Sequence, residues 1–202
     1  MPTDPGQLAA LAALVLAAAV LYSTVGHAGA SAYLVAMALF GVAPAAMKPA
    51  ALTMNIVVAT AGTLRFAAAG LVPWRLLGPL CLGSVPAAFA GGAIALPDMA
   101  YQRLLGALLL LAAARLWLPG EPPARRAVPA VLVLIAAGAA LGFLAGLTGV
   151  GGGVLLSPLL LLTGIEEPRR TAGASIAFSL GNSVAGLLGH LSAARQVPAG
   201  TA

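Results

Sequence analysis

The sequence predicts an all-α polytopic membrane protein: two homologous repeats with glycine-broken or re-entrant helices, about seven or eight membrane segments, and a second repeat that is incomplete. Three observations carry this. Hydrophobic residues make up 61% of the 202 positions and charged residues only 7%, against about 25% charged in an ordinary soluble domain. The apolar runs are continuous rather than alternating, so helices rather than a barrel must satisfy the backbone in lipid. Two glycine interruptions, Gly26-His27-Ala28-Gly29 and Gly149-Val150-Gly151-Gly152-Gly153, recur at an offset of about 123 residues.

In chain order, the first segment runs from about Gln7 to Val25, long enough for the roughly 20 residues a span requires. It follows Asp4 without a preceding Lys or Arg, which reads as a retained helix rather than a secretory signal. After the first glycine interruption comes a short segment, Ala30 to Val42, closed by Pro44 and Lys48. At this length it suits a broken or re-entrant helix. A third segment, Pro49 to Gly70, carries Thr53, Asn55, Thr60 and Arg65, whose polarity directs them to the protein interior or an interface. Val72-Pro73-Trp74-Arg75 is a boundary with Trp at headgroup level. Segments from Leu76 to Leu96 and Tyr101 to Leu118 follow, then the polar connection around Glu121 to Arg126.

The pattern then restarts: Val128 to Leu144, the glycine cluster, a short segment Val154 to Thr163 interrupted by Pro158, the charged turn Glu166 to Arg170, and Thr171 to Leu191. Gly41 falls on Gly164 at the same offset, and Val72-Pro73 on Val197-Pro198 at about 125. Residues 1–120 therefore read as a first transmembrane repeat, 121–126 as a connecting loop and 127–202 as a second repeat. Two further segments of the first repeat have no counterpart in it, so the expectation is either a truncated transporter or a second half completed by another copy or another polypeptide. If every segment crosses and the N-terminus lies outside, Arg65, Arg75, Arg115, Arg125, Arg126, Arg169 and Arg170 fall inside, and Lys48, Arg103 and Arg195 outside, as the positive-inside tendency prefers.

The net charge of +5 is spread between apolar segments and carries no nucleic-acid footprint. Cys81 is the single cysteine, so no disulfide forms within the chain and no multi-Cys metal site exists. No Ser-His-Asp set, paired carboxylates or metal-spaced His/Cys cluster is present, so the sequence predicts no enzyme, no cofactor and no metal.

The candidate site lies at the glycines. Four glycines in five positions weaken a helix by about 1 kcal/mol each relative to alanine. A break at membrane depth is tolerated where the backbone is buried in protein or lines a cavity, and paired breaks in two halves point to a transporter binding site. The competing reading is close helix packing through small residues. Ser175, Ser179, Asn182, Ser183, Gly186 and His190 share an arc of about 100° on one helix face, either as interhelical glue or as the wall of a path. An anion site would take backbone donors from Gly151 to Gly153 with Ser175, Ser179 and Asn182, and Gly26, Gly29 and Asn55 from the first half. His27 and His190 are each either structural or a proton relay. Lys48 and Arg65 either attract an anion or snorkel to the interface.

The run Gly142-Phe143-Leu144-Ala145-Gly146-Leu147-Thr148-Gly149-Val150-Gly151-Gly152-Gly153, with Pro158 and Thr171-Ala172-Gly173-Ala174-Ser175 beyond it, resembles the second-repeat motif of the sulfite exporter TauE/SafE family. The resemblance implies a multi-pass transporter, in many members of bacterial inner membranes, for sulfite or a related organosulfur anion. It implies that Gly149, Gly151, Gly152, Gly153 and Pro158 shape the permeation path, with Ser175 beside them, and it suggests coupling to the proton gradient. The first repeat departs from the pattern, because Gly26-His27-Ala28-Gly29-Ala30 stands where a fuller glycine cluster is usual. The expectation is alternating access of a small anion across the plasma membrane. The rival is a non-transporting scaffold or partner subunit in a larger membrane complex.

Overall fold

In the computed structural model, which describes residues 4–117 and 127–196, Asp4 accepts a hydrogen bond from the Gln7 amide and Pro5 stands at the first helical turn. That cap, with a proline whose fixed φ suits a helix start, begins α1 (Pro5–Thr24). Apolar on every side, α1 buries none of its residues in the protein, as suits a helix that faces lipid. The chain then breaks and resumes as α2 (Ala30–Leu39), α3 (Pro44–Ala68), α4 (Trp74–Ala93), α5 (Asp98–Trp117), α6 (Val131–Thr148), α7 (Gly153–Thr163) and α8 (Pro168–Gln196). Among the described residues, α1, α3, α4, α6 and α8 are long and apolar enough to cross a bilayer. The short α2 and α7, with 10 and 11 residues, each reach only about 15 Å, half the hydrocarbon thickness. The connection at 119–126 and Val197-Pro198 lie outside the described residues.

The centre of the fold is the packing of α4 against α6 and α8. Gly138, Gly142 and Gly146 recur every fourth residue on one face of α6. A Cβ on any of them would strike the backbone of Leu80, Ser84 or Ala88 on α4. Small residues at this spacing let two membrane helices meet backbone to backbone, where van der Waals contact rather than hydrophobic exclusion holds them. Gly142 and Gly146, which open the run that resembles the second-repeat motif, thus lie inside α6 and serve the α4 contact. The break itself starts at Gly149.

α3 and α8 pack antiparallel. Asn55 bonds Ser183, Gly62 sits under Ile176, and Leu71 meets Gly173. Buried apolar residues fill the space around these pairs, with Tyr33, Leu34 and Ala51 on one side of the molecule and Leu80, Leu156, Leu160 and Phe178 on the other.

Three local expectations change. Pro44 begins α3 instead of ending α2, because proline is favoured at a helix start, and the helix carries Pro49 within it. Pro158 does not interrupt α7. Thr53 and Thr60 are exposed rather than interior; each hydroxyl bonds the carbonyl one turn back, on Pro49 and Ile56, which removes the cost of facing lipid.

Candidate functional site

Both short helices start at a glycine in the left-handed region, Gly29 at φ 93° and Gly152 at φ 86°. L-residues with a Cβ rarely adopt this conformation. Turning the chain this way exposes the first amides of α2 and α7, and each is met by a side chain from the long helix that follows. The Ala30 amide donates to Asn55 Oδ1 at 3.1 Å, and the Gly153 amide donates to Ser179 Oγ at 2.9 Å. Ala30 and Gly153 are 123 positions apart, Asn55 and Ser179 are 124, and Pro44 and Pro168, which open α3 and α8, are 124. The positive-φ pairs Gly26/Gly149, Gly29/Gly152 and Gly41/Gly164 keep the same offset.

Asn55 joins the two breaks. Its Nδ2 donates to Ser183 Oγ at 2.7 Å, and Gly151 lies so close to that pair that a Cβ there would collide with the amide nitrogen. Gly152 approaches Phe178, Ala145 and the Asn182 amide. The structure therefore brings together Gly151, Gly152, Gly153, Asn55, Ser175, Ser179 and Asn182. Asn55, Ser175, Ser179, Asn182 and Ser183 are all buried.

Gly26 packs on Ala172 and Gly29 on the Tyr33 ring, whose hydroxyl bonds the Ala28 carbonyl at 2.6 Å. Gly149 sits somewhat apart, beside Lys48.

One member of the cluster has no partner. Asn182 is fully buried, and neither its Nδ2 nor its Oδ1 finds a hydrogen-bond partner among the described residues. Leaving such a group unsatisfied costs about 1 to 3 kcal/mol, so the position favours any occupant that both donates and accepts. It lies beside Gly152 at the start of α7, where the positive helix end favours negative charge.

The two histidines separate. His27 Nε2 lies 2.9 Å from Ser157 Oγ, which in turn lies 2.7 Å from Ser175 Oγ, while the Tyr22 ring meets the imidazole edge-on at 6.2 Å. His190 is 15 residues beyond Ser175 on α8, about 22 Å along the helix, and does not join this chain. Ser157 was not legible as a site residue; its signal is a hydroxyl in the interior of a short helix whose other hydroxyl, Thr163, stands at its end.

A cavity lies at each end of the α3–α8 pair. The larger, of about 580 Å³, is lined by His27, Ser157, Phe66, Arg169 and Thr171 among others. The smaller, of about 140 Å³, holds Lys48, Asp98, Tyr101 and His190. The polar face of α8 runs from one to the other. Between Asn182 and the smaller cavity, Gly186 is pressed on Gly146, and Gly92 on Gly186; at the larger cavity, Ser157 both lines the wall and touches Ser175.

Lys48 corrects the sequence expectation. Instead of reaching an interface, it is buried and donates to the carbonyls of Gly91, Gly92 and Ile94. The C-terminal end of α4 supplies acceptors closer than water. Arg65 is exposed.

Broken helices meeting around a buried polar cluster, inside a bundle of bilayer-length helices, define a multi-pass membrane protein with the architecture that transporters use. The chain belongs to the sulfite exporter TauE/SafE family, whose sequence profile matches residues 11–202, and is a membrane transporter. It is 36% identical over 192 residues to the "probable membrane transporter protein y4hK" of Sinorhizobium fredii, covering 89% of this chain and 75% of that one. No solved structure matches it.

Proposed function

We propose that the chain is a secondary transporter of a small anion, sulfite or a related organosulfur anion, working by alternating access across the bacterial inner membrane. The observation that carries this reading is Asn182, buried and unpartnered opposite the first turn of α7, in a polar row that leads from one cavity to the other. Sulfite and its relatives present several acceptor oxygens and, when protonated, a donor. The Asn182 amide and the amides at the glycine break answer both.

The cavity holding His27 leads to the site, while the Gly146–Gly186–Gly92 contact closes the other side. Access alternates when that seam parts and the Ser157–Ser175 side closes. Matched offsets of the glycine turns and of the two cap pairs support reading the halves as repeats, with Gly26, Gly29 and Asn55 contributing one half-site and Gly149 to Gly153, Ser175, Ser179 and Asn182 the other. His27 is positioned to pass a proton to the Ser157–Ser175 pair; His190 lies too far along α8 to join it. The test is uptake of radiolabelled sulfite by proteoliposomes containing the chain. Saturable uptake inhibited by thiosulfate or sulfoacetate supports the reading, and inhibition by unrelated anions such as chloride at equal concentration would redirect the substrate class.

A further inference from the structure

Lys48 is the sole lysine of the chain and, among the described residues, the only charged side chain that is buried, at 6% exposure. A buried charge is ordinarily paired with its opposite. Here the ammonium instead donates to three backbone carbonyls, of Gly92 at 2.8 Å, Ile94 at 3.2 Å and Gly91 at 3.4 Å. These lie at the C-terminal end of α4, where carbonyls run short of intrahelical donors and the macrodipole is negative; the Gly91 carbonyl also accepts the Ile94 amide at 3.3 Å. Three donors meet three acceptors, so the ammonium has no hydrogen left for an anion. The side-chain stem passes Gly149, so one residue connects the second glycine break to the end of α4.

Carbonyl oxygens that converge on a cation in place of its hydration shell are the means by which ion filters hold monovalent ions. We propose that the C-terminal carbonyls of α4 form a monovalent-cation site, which this chain fills with the tethered ammonium of Lys48 in place of a free ion. The separations to Gly92 and Ile94, 2.8 and 3.2 Å, suit an ammonium or potassium-sized cation, with the Gly91 carbonyl a longer third contact. The other charged and titratable groups around the adjoining cavity are Asp98 and Tyr101 of α5 and His190 of α8. Tyr101 is committed to the Thr148 carbonyl at 2.9 Å, and Asp98 adds to the attraction for positive charge. Occupancy fixes α3 to α4 on the side of the molecule that the glycine seam closes. The site's existence stands on this geometry, and only its effect on flux rests on the transport reading.

Thermal unfolding of the purified protein tests it in chloride salts of potassium, sodium, methylammonium and choline at equal ionic strength. Lys48→Ala vacates the site, and Lys48→Met fills the volume without charge. Lys48→Ala is expected to gain several degrees, saturably, in potassium or methylammonium over choline, while the wild type and Lys48→Met gain none. Equal midpoints for Lys48→Ala in all four salts overturn the proposal. Should neither variant fold, the wild type carries the test: an ammonium held by carbonyls resists reductive methylation at neutral pH, and complete dimethylation of the one lysine in folded protein overturns the assignment. Potassium-dependent sulfite flux in Lys48→Ala would tie the site to transport. Absence of sulfite flux in every protein, beside cation-dependent unfolding of Lys48→Ala, would remove the transport reading and leave the site standing.

Discussion

At the residue scale, Asn182 and Ser179 make opposite predictions about stability. Asn182 has no partner, so Asn182→Leu removes an unsatisfied amide and is expected to leave the unfolding midpoint unchanged or raise it while abolishing flux. A large loss of stability would mean that the amide is satisfied within the protein. Ser179 caps the first amide of α7. Ser179→Ala is therefore expected to cost about 1 kcal/mol, the usual value of a helix cap, read as a lower midpoint, with weaker substrate affinity in the same preparation.

These residues also show what a sequence makes legible. Asn182 and Ser179 were readable because a 100° periodicity places them on one face of α8. Lys48 was not: beside Pro44 and Pro49 a lone lysine reads as a boundary, and its acceptors lie 43 to 46 positions away. Only the fold makes that pairing visible.

At the element scale, the glycines divide into two kinds that the sequence does not separate. Those of α6 allow contact, and those of the break allow a turn. Gly142→Leu would drive a side chain into the α4 backbone at Ser84; it is expected to prevent folding, seen as aggregation on size-exclusion chromatography. Gly41 also has positive φ, but no atom of the described residues lies within 4 Å of a Cβ there. Gly41→Ala should therefore cost only the left-handed strain of about 1 to 2 kcal/mol, and flux should survive. Aggregation of Gly41→Ala, or a normal elution profile for Gly142→Leu, would reverse this division. The break glycines were legible as a cluster because four stand in five positions. The α6 glycines, spaced by four inside a good apolar run, look the same whether they pack or line a path.

At the scale of the whole molecule, helix order and the positions of both breaks follow from the sequence with only small shifts at helix ends, because long apolar runs and glycine interruptions are strong local signals. The antiparallel α3–α8 contact, the closing of one cavity by the glycine seam and the separation of His27 from His190 depend on long-range packing, which no local pattern encodes. Together they leave the polar row of α8 beside the larger cavity at Ser157 and covered by the Gly146–Gly186–Gly92 contacts on the His190 side. The most direct measurement is sulfite uptake into proteoliposomes holding either the wild type or Asn182→Leu, with the folded state of both checked by thermal unfolding. The account predicts saturable uptake by the wild type and none by the variant at an equal or higher unfolding midpoint. Equal uptake by the two would contradict it, by showing that the anion does not pass Asn182.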